Sequence, residues 1–229
     1  MHDSAMANGK RFFDTYVSKL QSPVVIDIGA QDVNGSLKEC CPASARYTGV
    51  DFVEGKGVDV VLDDPYRLPF ETDSIDVVVS SSCFEHSEMF WVAYLEILRV
   101  MKPQGIFYLN VPSNGPFHRY PVDCWRFYPD SGHALVKWAL TQNLNPAVLE
   151  SYTSNQIRES WNDYVCVFVK DVGCAHLHPS RILDTFADFS NGLKFGSSTV
   201  LNEQVSPEDQ RNPGWRIAKG LRNRVQRTA

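Results

Sequence analysis

Several features that would assign the chain quickly are missing from it. No C-x-x-C pair occurs among Cys40, Cys41, Cys83, Cys124, Cys166 and Cys174, and two of the six are adjacent. That usage fits reduced, mostly buried thiols better than a disulfide framework. The longest apolar runs are a handful of residues, too short to span a bilayer. The N-terminus lacks the basic segment, apolar run and small-residue site of a signal peptide. A soluble cytoplasmic protein with no membrane association is therefore expected. No internal repeat or low-complexity tract appears, which excludes solenoid architectures.

Glycine is also scarce where a dinucleotide would need it. "VVIDIGAQDVNGSL", Val24 to Leu37, opens as a strand that turns at Gly29 toward a helix, yet Gln31 and Asn34 stand where the fingerprint requires glycines. Gln31, Asp32 and Val33 put bulk and negative charge where backbone amides would surround a pyrophosphate. A nicotinamide-dependent oxidoreductase is disfavoured on that ground.

What is present suits a sizeable core. The 229 residues, 43% hydrophobic and 12% aromatic, fit one large α/β domain with appendages. The net charge of −5 conceals an asymmetry: Arg211, Arg216, Lys219, Arg222, Arg224 and Arg227 end the chain with no acid among them. The body is acidic and the tail basic.

Phe12, Tyr16, Val17 and Leu20 recur at helical spacing after Asn8-Gly9, predicting a helix that ends before Pro23. Val24–Ile28 is a β-branched run without alternation, the pattern of a parallel strand buried on both faces. Similar runs follow at Tyr47–Val50, Val58–Leu62, Ile75–Val79 and Gly105–Val111. Between the last two, Trp91, Tyr94, Leu95, Leu98 and Met101 form one stripe of a crossover helix over Glu88–Met101, ended by Pro103 and Gly105. A further helix is expected after Pro129-Asp130, through Trp138 and Leu140. Ala147–Tyr152 and Tyr164–Lys170 are expected to pair as an antiparallel hairpin. The fold class is thus α/β, a doubly wound, mostly parallel seven-stranded sheet. Residues 1–170 form the domain, and 171–229 an irregular extension with a helix near Ile182 to Phe189.

In such a sheet the ligand lies beyond the carboxyl ends of the strands. Those ends carry Asp27, Asp51, Asp63 and Asp64, then Ser80 to His86. Carboxylates there repel phosphate and suit a nucleoside with an amino-acid tail. Asp51 stands about twenty residues beyond Gly29, the distance at which an acid accepts from ribose hydroxyls. Asp63 or Asp64 is suited to an exocyclic adenine amine, with Leu68 over the ring. Asp64 before Pro65 reads equally as a helix cap.

"VVIDIGAQDVNGS", "YTGVD", "LDDPYRLPFETDSIDVVVSSSCFEH" and "LEILRVMKPQGIFYLNVPSNG", in that order over Val24 to Gly115, resemble the class I S-adenosylmethionine-dependent methyltransferases, of the small-molecule, methyltransferase-11-like type. Gln31, Met101 and Gln104 depart from the family pattern. The resemblance implies S-adenosyl-L-methionine as cofactor. Asp27, Gly29, Ala30 and Gln31 then lie near its methionine part, and Asp51 with Phe52 at the ribose. Asp63 and Asp64 reach toward adenine, and Ser82, Cys83 and His86 toward the sulfonium. An acidic rim attracts the sulfonium and ammonium charges of such a ligand.

"SNGPFHRYPVDCWRFYPD", residues 113–130, concentrates His118, Arg119, Tyr120, Asp123, Trp125 and Arg126 between three prolines, the composition of a structured substrate loop over the cleft. His118 is the first candidate for a general base and His86 the second. His118 reads equally as a loop histidine held by Asp123. Of Arg119 and Arg126, one is expected to clamp an anionic group and the other to brace the loop, with Tyr120 and Trp125 as further substrate contacts.

The "CAHLH" stretch, Cys174 to His178, has zinc-ligand residue types but no second cluster to complete a site, so no metal is assigned. The sequence is read as an enzyme that methylates a small polar acceptor, with oxygen favoured. The alternatives are an RNA-modifying or nucleic-acid-binding protein that uses the basic tail, or a cofactor-binding module without catalysis. The Ser80-Ser81-Ser82-Cys83 run does not resemble the Asn/Asp-Pro-Pro-aromatic run of enzymes that methylate nucleic-acid amines. Nucleic acid is thus disfavoured as a partner, and nothing in the sequence sets the oligomeric state.

Overall fold

The computed structural model describes residues 2–157, 161–205 and Gly214. Eight strands of the described residues form one sheet: β1 (Val24–Ile28), β2 (Arg46–Asp51), β3 (Val60–Val61), β4 (Ile75–Ser81), β5 (Met101–Pro112), β6 (Ala147–Ser154), β7 (Asp163–Val169) and β8 (Phe189–Lys194). Among the described residues three α-helices of known bounds accompany them, α1 (Asp3–Phe12), α2 (Phe90–Val100) and α3 (Ser131–Thr141). The strand order is β3-β2-β1-β4-β5-β7-β6-β8. The first five strands are parallel, and β7, β6 and β8 join them antiparallel.

β1 is unalternating because both its faces are covered. Successive side chains leave a strand on opposite sides, and Ile26 joins one buried cluster with Val78 and Phe107 while Val25 joins another with Val77 and Val79. The predicted stripe of α2 supplies the first cluster, in which Tyr94 and Leu98 are fully buried and Trp91 and Leu95 pack at its edge.

The late strands pair as expected, with β7 seated between β5 and β6. The sheet nonetheless has eight strands and not seven, because Phe189–Lys194 adds an edge to β6. The helix expected near Ile182 to Phe189 shrinks to a single 3-10 turn, Ile182–Asp184. The buried carboxylate of Glu150 accepts from the amides of Ile182, at 2.7 Å, and Leu183, at 2.9 Å, and holds the chain there.

The N-terminus also differs from expectation. Asn8-Gly9 does not open the first helix but lies inside α1, which continues as a π-helical turn through Phe13–Val17. Both residues are kept there by tertiary contacts. Asn8 donates to Asn110 Oδ1 (3.1 Å) and accepts from Tyr152 Oη (3.2 Å). A Cβ on Gly9 would stand 2.3 Å from Leu37 Cδ2. With α1 packed on this face, no α-helix separates β1 from β2 among the described residues, only a 3-10 turn at Leu37–Cys40. None of the described helices is long and apolar enough to cross a membrane.

Candidate active site

A cavity of about 860 Å³ opens at the carboxyl ends of β1, β2 and β4. Asp27, Gly29, Ala30, Gln31, Asp51, Phe52, Ser82, Cys83, His86, His118, Arg119 and Tyr120 all line it. The strand tips and the loop over residues 113–130 therefore meet around one space.

The turn after β1 is shaped by one close approach. Gly29 has φ +83°, and a Cβ on it would lie 2.6 Å from Cys83 Cβ, so only glycine lets the β4 loop cross there. Gln31, which replaces the expected second glycine, accepts a hydrogen bond from Tyr120 Oη at 3.1 Å and so ties the turn to the overlying loop. The negative charge of Asp32 is not presented to a ligand, because its carboxylate holds Lys56 Nζ at 2.6 Å and the amide of Gly35 at 2.8 Å.

Asp27 is buried and accepts from Tyr47 Oη at 2.5 Å. Burial pushes its carboxyl up to about 7, against the pull of the Tyr47 hydrogen bond. Asp51 is braced by two amides, Val53 on Oδ1 (3.1 Å) and Gln31 on Oδ2 (3.3 Å). A carboxylate has about four acceptor positions, so Asp51 keeps capacity for a ligand's hydroxyls.

Asp63 and Asp64 are exposed and do not line the cavity. Asp64 caps a turn and no helix, accepting from Tyr66 N at 2.8 Å. Leu68 is buried in the core beneath; Leu62 and Pro65 line the wall instead.

Ser82 takes φ +53°, and its buried Oγ has no hydrogen-bond partner among the described residues. The 3-10 turn Phe84–His86 follows. His86 Nδ1 lies 2.5 Å from the carbonyl oxygen of Val122, and burial lowers the imidazole's affinity for a proton. Glu85, whose position before His86 in sequence carries no sign of a role, is 1% exposed. Burial pushes its carboxyl up to about 8. Its backbone carbonyl accepts from Cys124 N and Trp125 N, fastening the loop to the β4 side.

Within the loop, Asp123 and Arg126 form a closed pair. Arg126 Nη1 and Nη2 donate to the two carboxylate oxygens at 2.6 and 2.9 Å. The guanidinium holds the Asp123 carboxyl down at about 2. Arg126 also donates to the carbonyls of Pro116 and Trp125, at 2.8 Å each. Asp123 reaches His118 chiefly through that residue's amide (2.7 Å), with Nδ1 farther off at 3.4 Å. Arg126 and Asp123 thus brace the loop and do not line the cavity, whereas Arg119 does line it and has Nε on the Pro121 carbonyl at 3.2 Å. Trp125 is likewise a pin: its Nε1 donates to the Ser87 carbonyl at 2.9 Å and its ring packs on Phe90 and Trp91. In "CAHLH", His176 Nδ1 meets the Gly173 carbonyl and His178 Nε2 that of Gln104. The basic tail from Arg211 lies outside the described residues, Gly214 excepted.

Five parallel strands ordered β3-β2-β1-β4-β5, followed by antiparallel β7 and β6 and carrying a carboxylate-edged cavity at their ends, define the class I S-adenosylmethionine-dependent methyltransferase fold. Residues 22–109 match the family described as methyltransferase domain. That segment is similar to the family, and the match points to S-adenosylmethionine as cofactor. Over 96 residues it is 31% identical to the phthiotriol/phenolphthiotriol dimycocerosates methyltransferase of Mycobacterium tuberculosis, covering 40% of this chain and 32% of that protein. The chain thus matches about a third of the length of that curated relative. Two solved structures share the fold at a TM-score of 0.55. One is the 1,6-didemethyltoxoflavin-N1-methyltransferase of Burkholderia thailandensis with bound 1,6-didemethyltoxoflavin and S-adenosylhomocysteine, at 18% identity over 74% of this chain and 80% of that one. The other is the [4+2]-cyclase SpnF, at 14% identity over 73% and 82%. A cyclase on this fold shows why the chemistry has to be argued from the site.

Proposed function

We propose that the chain transfers the methyl group of S-adenosylmethionine to a hydroxyl oxygen of a small polar acceptor, such as a sugar, in the cytoplasm. The observation that carries this reading is the single cavity shared by the strand-tip carboxylates and the His118-Arg119-Tyr120 segment. The six free cysteines support a reducing compartment. A dimycocerosate and a didemethyltoxoflavin, named as acceptors in the relatives, support a small-molecule class.

The residues present fit the cofactor. Asp51 has acceptor capacity for ribose hydroxyls, Phe52, Leu62 and Pro65 offer apolar surface for a base, and Asp27 beside Gly29 offers a carboxyl to the methionine end. Bound S-adenosylmethionine supplies an electrophilic methyl group on a positively charged sulfur. Its positive charge favours an acidic rim over a basic one. Arg119 and Tyr120 orient the acceptor, since alignment is the main task in methyl transfer. His118 takes the hydroxyl proton, with His86 behind it. The products are the methyl ether, S-adenosylhomocysteine and a proton passed to solvent.

Calorimetry tests this directly. S-adenosylmethionine and S-adenosylhomocysteine should each bind with one-to-one stoichiometry, and NAD should give no heat. Silence with both sulfur ligands would remove the reading.

A further inference from the structure

We propose that Glu85, His86 and His118 form a binding site for one divalent transition-metal ion of the zinc class, in the wall of the cavity. The inference deepens the reading above and rests on it only for what the ion does to an acceptor.

The three side chains bring ligand atoms within 4.8 Å of one another. Glu85 Oε1 and His86 Nε2 are 3.7 Å apart. Ligands about 2.1 Å from a tetrahedral ion stand roughly 3.4 Å from each other. One pair is therefore almost in place, and the third ligand has to close by at most about 1.4 Å. His118 belongs to the overlying loop, where its side chain is 36% exposed, so that adjustment falls on the least constrained member.

Hydrogen bonding fixes both imidazoles in the state a metal requires. His86 Nδ1 faces the Val122 carbonyl at 2.5 Å, so it carries the proton and leaves the Nε2 lone pair toward Glu85. His118 Nδ1 is near the Pro116 carbonyl at 3.3 Å and Arg126 Nη2 at 3.4 Å. Nη2 already gives its two hydrogens to Asp123 Oδ2 and Pro116 O, so Nδ1 is the donor here as well and Nε2 keeps its lone pair. A backbone carbonyl on the remote ring nitrogen is the usual device that orients a metal-binding histidine.

The third member lacks what a structural carboxylate would have. Glu85 is 1% exposed, and its Oε2 has no hydrogen-bond partner among the described residues. Two nitrogen lone pairs beside a buried carboxyl group with an unpartnered oxygen make a donor cluster that a cation completes as it displaces the carboxyl proton. Arg126 does not oppose the ion, because its charge is matched by Asp123. Two imidazoles and one carboxylate with a side open to a cavity are the donor set of zinc and of non-haem iron(II), not of magnesium. An acceptor hydroxyl on that open side is acidified. Its proton leaves to solvent, its oxygen forms the bond to the methyl carbon, and the sulfur–carbon bond breaks with its electron pair kept by sulfur. In the metal-loaded protein, acidification by the ion replaces proton abstraction by His118.

Cobalt(II) titration of the tag-free, chelator-treated full chain tests the site without turnover. One equivalent should bind, with visible d–d absorption that zinc abolishes and magnesium does not. Glu85→Gln and His118→Gln should each weaken cobalt affinity by at least tenfold, while His176→Ala/His178→Ala leaves it unchanged. Affinity for S-adenosylhomocysteine, measured alongside, reports folding of each variant and stands apart from the metal result. The proposal is overturned if the wild-type chain takes up no stoichiometric cobalt, or if whichever of the Glu85 and His118 variants retains S-adenosylhomocysteine binding holds cobalt as tightly as the wild type. Loss of S-adenosylhomocysteine binding by the wild type would instead count against the methyltransferase reading.

Discussion

Tyr120 donates its phenolic hydrogen to the side-chain oxygen of Gln31 at 3.1 Å, joining residues 89 apart in sequence across the mouth of the cavity. A neutral, exposed hydrogen bond contributes about 1 kcal/mol. Tyr120→Phe should therefore raise the acceptor KM roughly three- to tenfold with little change in thermal midpoint. Gln31→Ala should do the same. If the two variants leave acceptor kinetics unchanged, the tie does not position the loop.

Asp51 and His118 should fail in different ways. Asp51→Ala removes a carboxylate from the cofactor side and should weaken S-adenosylhomocysteine binding by about 10- to 100-fold, the worth of charge-assisted hydrogen bonds. His118→Ala should cut kcat by about a hundredfold or more while leaving that affinity within a factor of about two. Equal losses of affinity in both variants would show that His118 acts through the fold.

The two loop arginines should separate cleanly. Arg126→Ala leaves Asp123, whose side chain is 2% exposed, without its partner, a change that costs about 3 kcal/mol in comparable buried pairs. Arg119→Ala should keep the thermal midpoint and raise KM for the acceptor only. Calorimetric melting of both variants decides the matter, and a stable Arg126→Ala protein would contradict the bracing role.

Asp27 gives stability a defined pH dependence. Its carboxyl holds a proton up to about 7 in the folded chain, against about 4 when unfolded. Between those values the folded state binds more protons, so stability falls as pH rises through that window and the loss is complete above it. The fall should amount to a few kcal/mol. Asp27→Asn, which can still accept from Tyr47, should lessen the fall from pH 4 to 7 and melt higher above it, the remaining slope coming from Glu85. Parallel profiles for variant and wild type would refute the assignment.

Much of this was legible because it depends on short-range pattern. β1 and β4 announce themselves as unalternating apolar runs, α2 as a stripe of Tyr94 and Leu98, and the acidic strand tips as Asp27 and Asp51. What stayed hidden depends on partners far away in sequence. Asn8-Gly9 reads as a helix start, yet Asn110, Tyr152 and Leu37 hold it inside one. The stretch after residue 170 reads as an irregular extension, yet Phe189–Lys194 pairs along β6 as β8. Glu85 precedes a histidine in plain sight, but only its enclosure by the loop makes it unusual. Of the two arginines the sequence left open, Arg126 is resolved as the brace by its bonds to Asp123, a contact no spacing rule supplies.

The ribbon that joins β1 to β2 has a consequence for how affinity is divided along the ligand. A helix starting after Gly29 would aim the positive end of its aligned peptide dipoles at an anionic group, and here that end is absent, while the one amide of Gln31 is already given to Asp51. With the cofactor placed as proposed, its amino-acid half gains little from the backbone and most of the grip falls on the nucleoside. 5′-Methylthioadenosine, which lacks that half, should compete with S-adenosylhomocysteine at no more than about tenfold weaker affinity, the equivalent of about 1.4 kcal/mol.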